Sequence, residues 1–248
     1  MENQAFIVGA QRCGTTRLVS TLGQHPLVRL ALPIRPEPKF FMSRRTSVEC
    51  DDYVKRFYIG PPKNVRLEKS ASYLDSDIAV ESVWNVFPDA RILVLIRDPV
   101  ERALSHYAFS VQNGLERRDP ETAIFSPDQT AMVPGVSVPP FAYIDRGKFE
   151  VGIARWRVAF PRIHVVVLEE LLVSASARQS LLSFLDLHAD FAWPDLELKF
   201  NSSNEQRPAE TVYLRRRLEA ELRPATLRLR EMIDVDLSRW WPWLDDAS

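Results

Sequence analysis

The chain has 248 residues, 46% of them hydrophobic, which is enough to bury a sizeable core and fits one large domain. With 32 Lys plus Arg against 33 Asp plus Glu the formal net charge is -1, so no global charge draws it to nucleic acid or to a membrane, and any anion site must be built locally. Of the two cysteines, Cys13 falls inside a glycine loop where a bridge would obstruct a ligand, and no apolar run approaches the ~20 residues needed to span a bilayer; a reducing, cytoplasmic setting is expected.

The first element is FIVGAQRCGTTRL, residues 6–18. Phe6-Ile7-Val8 reads as a buried strand, and Leu18, Val19 and Leu22 mark the helix that follows the loop. Gly9 and Gly14 keep the spacing of the G-x-x-x-x-G-K-[ST] phosphate cradle, but Thr15 stands where that motif has its lysine. In strand–loop–helix geometry the N–H groups of Gly14, Thr15 and Thr16 would face an anion, helped by the helix dipole. Arg12 is the nearest cation, placed to reach the 5′ end of a nucleotide, and no lysine follows to bridge β- and γ-phosphates, which argues against a kinase or ATPase. A plain glycine turn capped by Thr15 or Thr16 is the simpler alternative.

Further along, Val80, Val83 and Phe87 keep helical spacing, and Ile92–Ile96 is an unbroken apolar run that predicts a strand covered on both faces. Pro99 opens a helix carrying Leu104, Tyr107 and Val111. The stretch Gly114–Pro140 has five prolines and no period, so it reads as a long functional loop. Val165–Leu168 is a third strand, and Pro208–Leu229 a basic amphipathic helix with Leu214, Leu218 and Leu222 inward. Strand and helix alternate, which predicts an α/β sandwich with right-handed crossovers and ligands at the carboxyl ends of the strands. The four histidines lack paired spacing and the cysteines form no C-x-x-C, so no metal site is expected. No G-x-S-x-G elbow marks a serine hydrolase.

These stretches resemble a known family. FIVGAQRCGTTRL looks like the 5′-phosphosulfate-binding loop of sulfotransferases that use 3′-phosphoadenylyl sulfate (PAPS), in the branch of heparan sulfate and related carbohydrate sulfotransferases; Arg12 stands where most of that branch has lysine. RILVLIRDPVERALSHY, residues 91–107, is similar to the 3′-phosphate site, with Arg97 and Ser105 in the matching places. A guanidinium and a hydroxyl there can bind a phosphate dianion through charge-assisted hydrogen bonds. RPEPKFF, residues 35–41, resembles K-E-P-x-F-F and makes Glu37 the base toward the acceptor hydroxyl; Pro36 replaces the lysine, leaving Arg35 or Lys39 to supply that charge. EKSASYL, residues 68–74, resembles E-K-[ST]-P-x-Y with Ala71 in place of proline, and makes Lys69 a contact to the sulfonate. Residues 143–172 resemble a segment with R-G-x-Y and E-D-L, where Phe149 and Glu170 replace tyrosine and aspartate and where Trp156 and Phe160 are expected in the core. FNSSNEQRP, residues 200–208, occupies the place of a nucleotide clamp, with Arg207 a candidate to cover the 3′-phosphate.

The resemblance implies a P-loop-type three-layer α/β sandwich with a central parallel sheet flanked by helices, forming a single sulfotransferase domain over 1–248. It implies PAPS as donor, 3′,5′-ADP (PAP) as product, no metal, and a hydroxyl acceptor on a carbohydrate or glycosylated small molecule. Glu37, Arg12 and Lys69 are the implied catalytic residues. Arg12, Cys13, Gly14, Thr15, Thr16, Arg97, Ser105 and Arg207 are the implied nucleotide-binding residues. A nucleotide kinase with a degenerate loop and a regulatory protein that binds PAP without turnover stay open as alternatives.

Overall fold

The computed structural model describes residues 2–126, 128, 131–133, 139–194 and 212–245. In chain order the main elements are β1 (Asn3–Gly9), α1 (Thr15–Leu22), β2 (Val28–Leu30), α2 (Cys50–Phe57), β3 (Val65–Lys69), α3 (Asp77–Val86), β4 (Arg91–Ile96), α4 (Pro99–Gln112), α5 (Pro120–Ile124), α6 (Phe149–Ala159), β5 (Ile163–Val167), α7 (Leu168–Val173), α8 (Ala175–Phe184) and α9 (Val212–Met232). The chain divides into two compact units, Met1–Ile96 with Gly152–Asn201, and Arg97–Val151 with Ser202–Ser248.

The first unit holds one sheet of five parallel strands in the order β2-β3-β1-β4-β5. This is the expected central parallel sheet flanked by helices. Its middle strands are apolar without alternation because both faces are covered: Ala5 to Val8 of β1 and Ile92 to Ile96 of β4 are fully buried. Side chains of that kind contribute about 1.5–3 kcal/mol each when buried. Beside them Phe6, Phe41, Tyr53 and Phe87 form an aromatic cluster, with Phe6 and Phe41 edge to face at 5.5 Å. Trp156 and Phe160 are buried and stacked, and Trp156 Nε1 donates to Tyr73 O at 3.3 Å, so they serve the core as expected.

The sheet positions the glycine loop. β1 has β3 on one side and β4 on the other, so the direction of strand progression reverses at its edge with β4, where open α/β sheets bind ligands. Pairing with β4 skips a residue between Ile7 and Gly9, and Ala10 N then bonds Leu95 O at 2.7 Å, ending β1 as the loop begins. Gly9 fits there because Leu74 Cβ would stand 2.6 Å from any added Cβ.

In the second unit Asp98 caps α4, accepting from Val100 N at 2.8 Å, with Pro99 in the first turn, and its other oxygen accepts from Trp243 Nε1 at 3.1 Å. Leu214, Leu218 and Leu222 of α9 are buried, as their spacing predicts. Arg102 is wholly buried and donates to Tyr143 O. The predicted loop Gly114–Pro140 is partly helical: Asp119 caps α5, and Pro120 starts it. Its first turn is pinned by buried Glu116, which accepts from Arg118 Nη2 at 2.7 Å, from Arg118 Nε at 2.9 Å and from Tyr143 Oη at 3.1 Å. Burial alone would raise the Glu116 carboxyl, but the Arg118 guanidinium and two backbone amides hold it down at about 2.

Candidate active site

Between β1 and α1 the backbone turns twice through the left-handed region, at Arg12 (φ 67°) and Gly14 (φ 85°). Glycine takes that conformation freely; an arginine holds it only where its surroundings impose it. Gly14 gives α1 no side-chain cap, and the first turn of the helix carries no acidic residue. Within α1 itself no carboxylate offsets the N-terminal N–H groups and dipole. Cys13 faces inward, fully buried and unbridged, with its N–H directed to Ala10 O at 3.3 Å, while Arg12 is half-buried at the surface of the loop. Cys50 is free as well.

A cation from another strand lies at the start of α1. Lys69 ends β3, beside β1, and its Nζ donates to Thr16 Oγ1 at 3.2 Å and to Glu37 Oε1 at 2.7 Å. Its side chain is 3% exposed and that of Glu37 18%. Three expected residues, Thr16, Lys69 and Glu37, are therefore joined at one point at the start of α1. Of the two residues expected to replace the lysine lost at Pro36, Arg35 is exposed, and Lys39 is half-buried with its own N–H bonded to Ser70 Oγ at 3.0 Å.

Glu68 and Ser70 flank Lys69 and went unassigned in the sequence. Glu68 is fully buried, and its two oxygens accept from Tyr53 Oη at 2.5 Å and Ser70 Oγ at 2.7 Å. Burial pushes its carboxyl upward against those hydrogen bonds. Charged letters in a strand pattern concealed the pair, although the E-K-S triplet itself marked the place.

In the second unit Arg97, the residue after β4 in the chain, is half-buried and lies 3.6 Å from Glu101, which also pairs with Arg215 of α9. Ser105 sits half-buried on α4. Arg207 lies outside the described residues. His25 and His188, remote in sequence, have their rings stacked at 6.4 Å, yet among the described residues no group of His, Cys, Asp and Glu could hold a metal. No helix among them is long and apolar enough to cross a membrane.

The chain belongs to the sulfotransferase domain family, whose model matches residues 2–138. It is 34% identical over 110 residues to heparan sulfate glucosamine 3-O-sulfotransferase 6 of Mus musculus, covering 42% of this chain and 30% of that protein. With the bifunctional heparan sulfate N-deacetylase/N-sulfotransferase 1 of Mus musculus it shares 30% identity over 183 residues, 66% of this chain and 19% of the other. The chain thus spans less than a third of the length of these two curated relatives. A sulfotransferase from Alicyclobacillus acidocaldarius has the same fold, with a TM-score of 0.78 and 24% identity over 97% of this chain and 99% of that one. The sulfotransferase domain from the curacin biosynthetic pathway aligns with a TM-score of 0.50 and 14% identity, over 87% of this chain and 82% of that one.

Proposed function

We propose that this protein is a PAPS-dependent sulfotransferase that moves a sulfonyl group to a hydroxyl of a carbohydrate or glycosylated small molecule. The observation that carries the proposal is the buried Lys69 ammonium, which holds Glu37 and Thr16 together beside an uncapped helix start. That donor set suits a sulfated 5′-phosphate: backbone N–H groups, a desolvated ammonium and a guanidinium, with a carboxylate beside them. Bound PAPS would supply the sulfonyl group and depart as PAP.

The residues divide the work by their chemistry. Glu37 takes the proton of the acceptor hydroxyl as general base. Lys69 orients Glu37 and offers positive charge to the sulfonate. Arg12 and the amides of Gly14, Thr15 and Thr16 stabilise the negative charge that grows on the phosphate side, a preorganised electrostatic role. Arg97 and Ser105 are assigned the 3′-phosphate, which separates PAP from ATP. The heparan sulfate relatives support a carbohydrate acceptor. Both units together are taken as one catalytic domain, and a cytoplasmic setting stays part of the proposal. The kinase and non-catalytic alternatives gain no support from the family match.

Labelled PAPS offered with a panel of hydroxyl acceptors tests the reading directly: label should pass to a sugar hydroxyl without added metal. Binding is tested separately by melting. At ~100 times its Kd a ligand adds about 2.7 kcal/mol, which for a chain of this size is a rise of roughly 5–10 °C. PAP should give that rise and ATP much less; equal shifts would overturn the assignment.

A further inference from the structure

We propose that Glu68 and Ser70 are positioning residues for the segment that carries Glu37, acting through a buried hydrogen-bond relay that ends on the backbone of Lys39. The proposal rests on the reading of Glu37 as the base.

The relay has one direction. Gln4 Nε2 donates to Tyr58 Oη at 2.9 Å, the Tyr58 and Tyr53 hydroxyls meet at 3.2 Å, and Tyr53 Oη donates to Glu68 Oε2. On the other side Ser70 Oγ donates to Glu68 Oε1 and accepts from Lys39 N. A serine hydroxyl has one proton, and here it goes to Glu68 Oε1. Glu68 therefore fixes where the Ser70 proton points and leaves the serine lone pairs aimed at the Lys39 amide. Two residues further on, Phe41 N donates to Tyr73 Oη at 3.1 Å, a second anchor on the same segment.

The backbone needs such an anchor. Lys39 has φ 48°, a left-handed conformation that a residue with a side chain holds only when its surroundings impose it. Glu37 lies two residues before this strained point and reaches Lys69, which lies between Glu68 and Ser70 in the chain. The last residues of β3 and the one after it thus grip the segment twice, Lys69 by the Glu37 side chain and Ser70 by the Lys39 backbone. Base catalysis depends on sub-ångström placement, so a slackened backbone here should lower turnover without touching the nucleotide loop.

The test compares Ser70→Ala with Ser70→Thr, since threonine keeps the hydroxyl. Ser70→Ala should speed exchange of the Lys39 amide roughly tenfold and lower kcat by a similar factor. The PAP melting shift and the KM for PAPS should stay unchanged. Ser70→Thr should restore both exchange and kcat. Glu68→Gln should loosen the same amide, because its NH₂ group cannot accept from both hydroxyls. Unchanged Lys39 exchange in Ser70→Ala overturns the anchor whether or not sulfonyl transfer is seen. Faster exchange with unchanged kcat overturns the positioning role while leaving the proposed function intact.

Discussion

Lys69 Nζ stands 2.7 Å from Glu37 Oε1, so the residue proposed as base is held in an ion pair by a nearly buried ammonium. On the proposed reading one clamp would both fix the base and present charge to the sulfonate. Glu37→Gln keeps the shape of that pair and removes the proton acceptor. Turnover on the authentic acceptor should fall by roughly 10²–10⁴ while the PAP melting shift is preserved. Near-normal turnover would place the base elsewhere.

Arg97 should discriminate nucleotides. On its proposed assignment to the 3′-phosphate, the alanine variant loses a charge-assisted contact worth about 1.5–3 kcal/mol, and most of PAP's advantage over 5′-AMP should vanish in a titration of both. Arg12→Ala should retain more of that advantage, because the 5′ end is common to the two nucleotides.

Leu74 sets the tolerance of two glycines. An added Cβ at Gly152 would meet Leu74 Cγ at 2.7 Å and Cδ1 at 2.9 Å, whereas at Gly9 it would meet Leu74 Cβ itself at 2.6 Å. Each Gly→Ala change should cost about 1–3 kcal/mol in denaturant unfolding, as overpacking does. A second change, Leu74→Ala, removes the two closest atoms at Gly152 and leaves only Leu74 O at 3.0 Å, whereas at Gly9 it removes Cδ2 and Cγ but leaves the closest atom, Cβ at 2.6 Å. It should therefore rescue Gly152→Ala more than Gly9→Ala.

Acid should weaken the protein in two stages. His25 is held below the ordinary imidazole range by burial and then by the neighbouring His188, and His164 by burial. For both, the folded protein binds the proton less readily than the unfolded chain, so their contribution is present above about pH 6.5 and is lost as pH falls through the lowered values. Glu116 acts lower: its contribution, on the order of 3 kcal/mol, is present above the usual carboxylate range and is lost as pH falls toward about 2. Unfolding midpoints measured from pH 7.5 to 3 should show both declines, with His164→Phe reducing the first and Glu116→Gln the second.

The legible parts of the sequence were those where one physical requirement dominates. β1 and β4 announced themselves as apolar runs because a doubly covered strand has no place for alternation, and the edge strand β5 by its Val165-Val166-Val167 run. β3 did not, since Arg66, Glu68 and Lys69 interrupt Val65 and Leu67; a strand carrying polar groups into a site loses the pattern that reveals strands. β2 is only three residues long. Within the site, the loop spacing was enough to name Thr16 and the family resemblance to name Glu37 and Lys69, but neither said that Lys69 bonds Thr16 at the start of α1. That depends on β3 lying beside β1, a pairing between distant parts of the chain. The helix at Pro120–Ile124 carries a start signal in Asp119-Pro120, a cap followed by a first-turn proline, but the prolines around it made the stretch read as loop.

The sheet is assembled from discontinuous chain. β4 takes β5 as its outer neighbour, yet residues 97–151, which belong to the other unit, are synthesised between the two strands. A nascent chain that has emerged only as far as Ile96 has four strands and an unsatisfied edge formed by Ile92, Leu93, Val94, Leu95 and Ile96, among the most apolar residues of the protein. Such an edge is a template for pairing with other chains. Translation is thus the vulnerable period, and a fragment ending at Ile96 should aggregate unless residues 160–187 are supplied in trans to close the sheet.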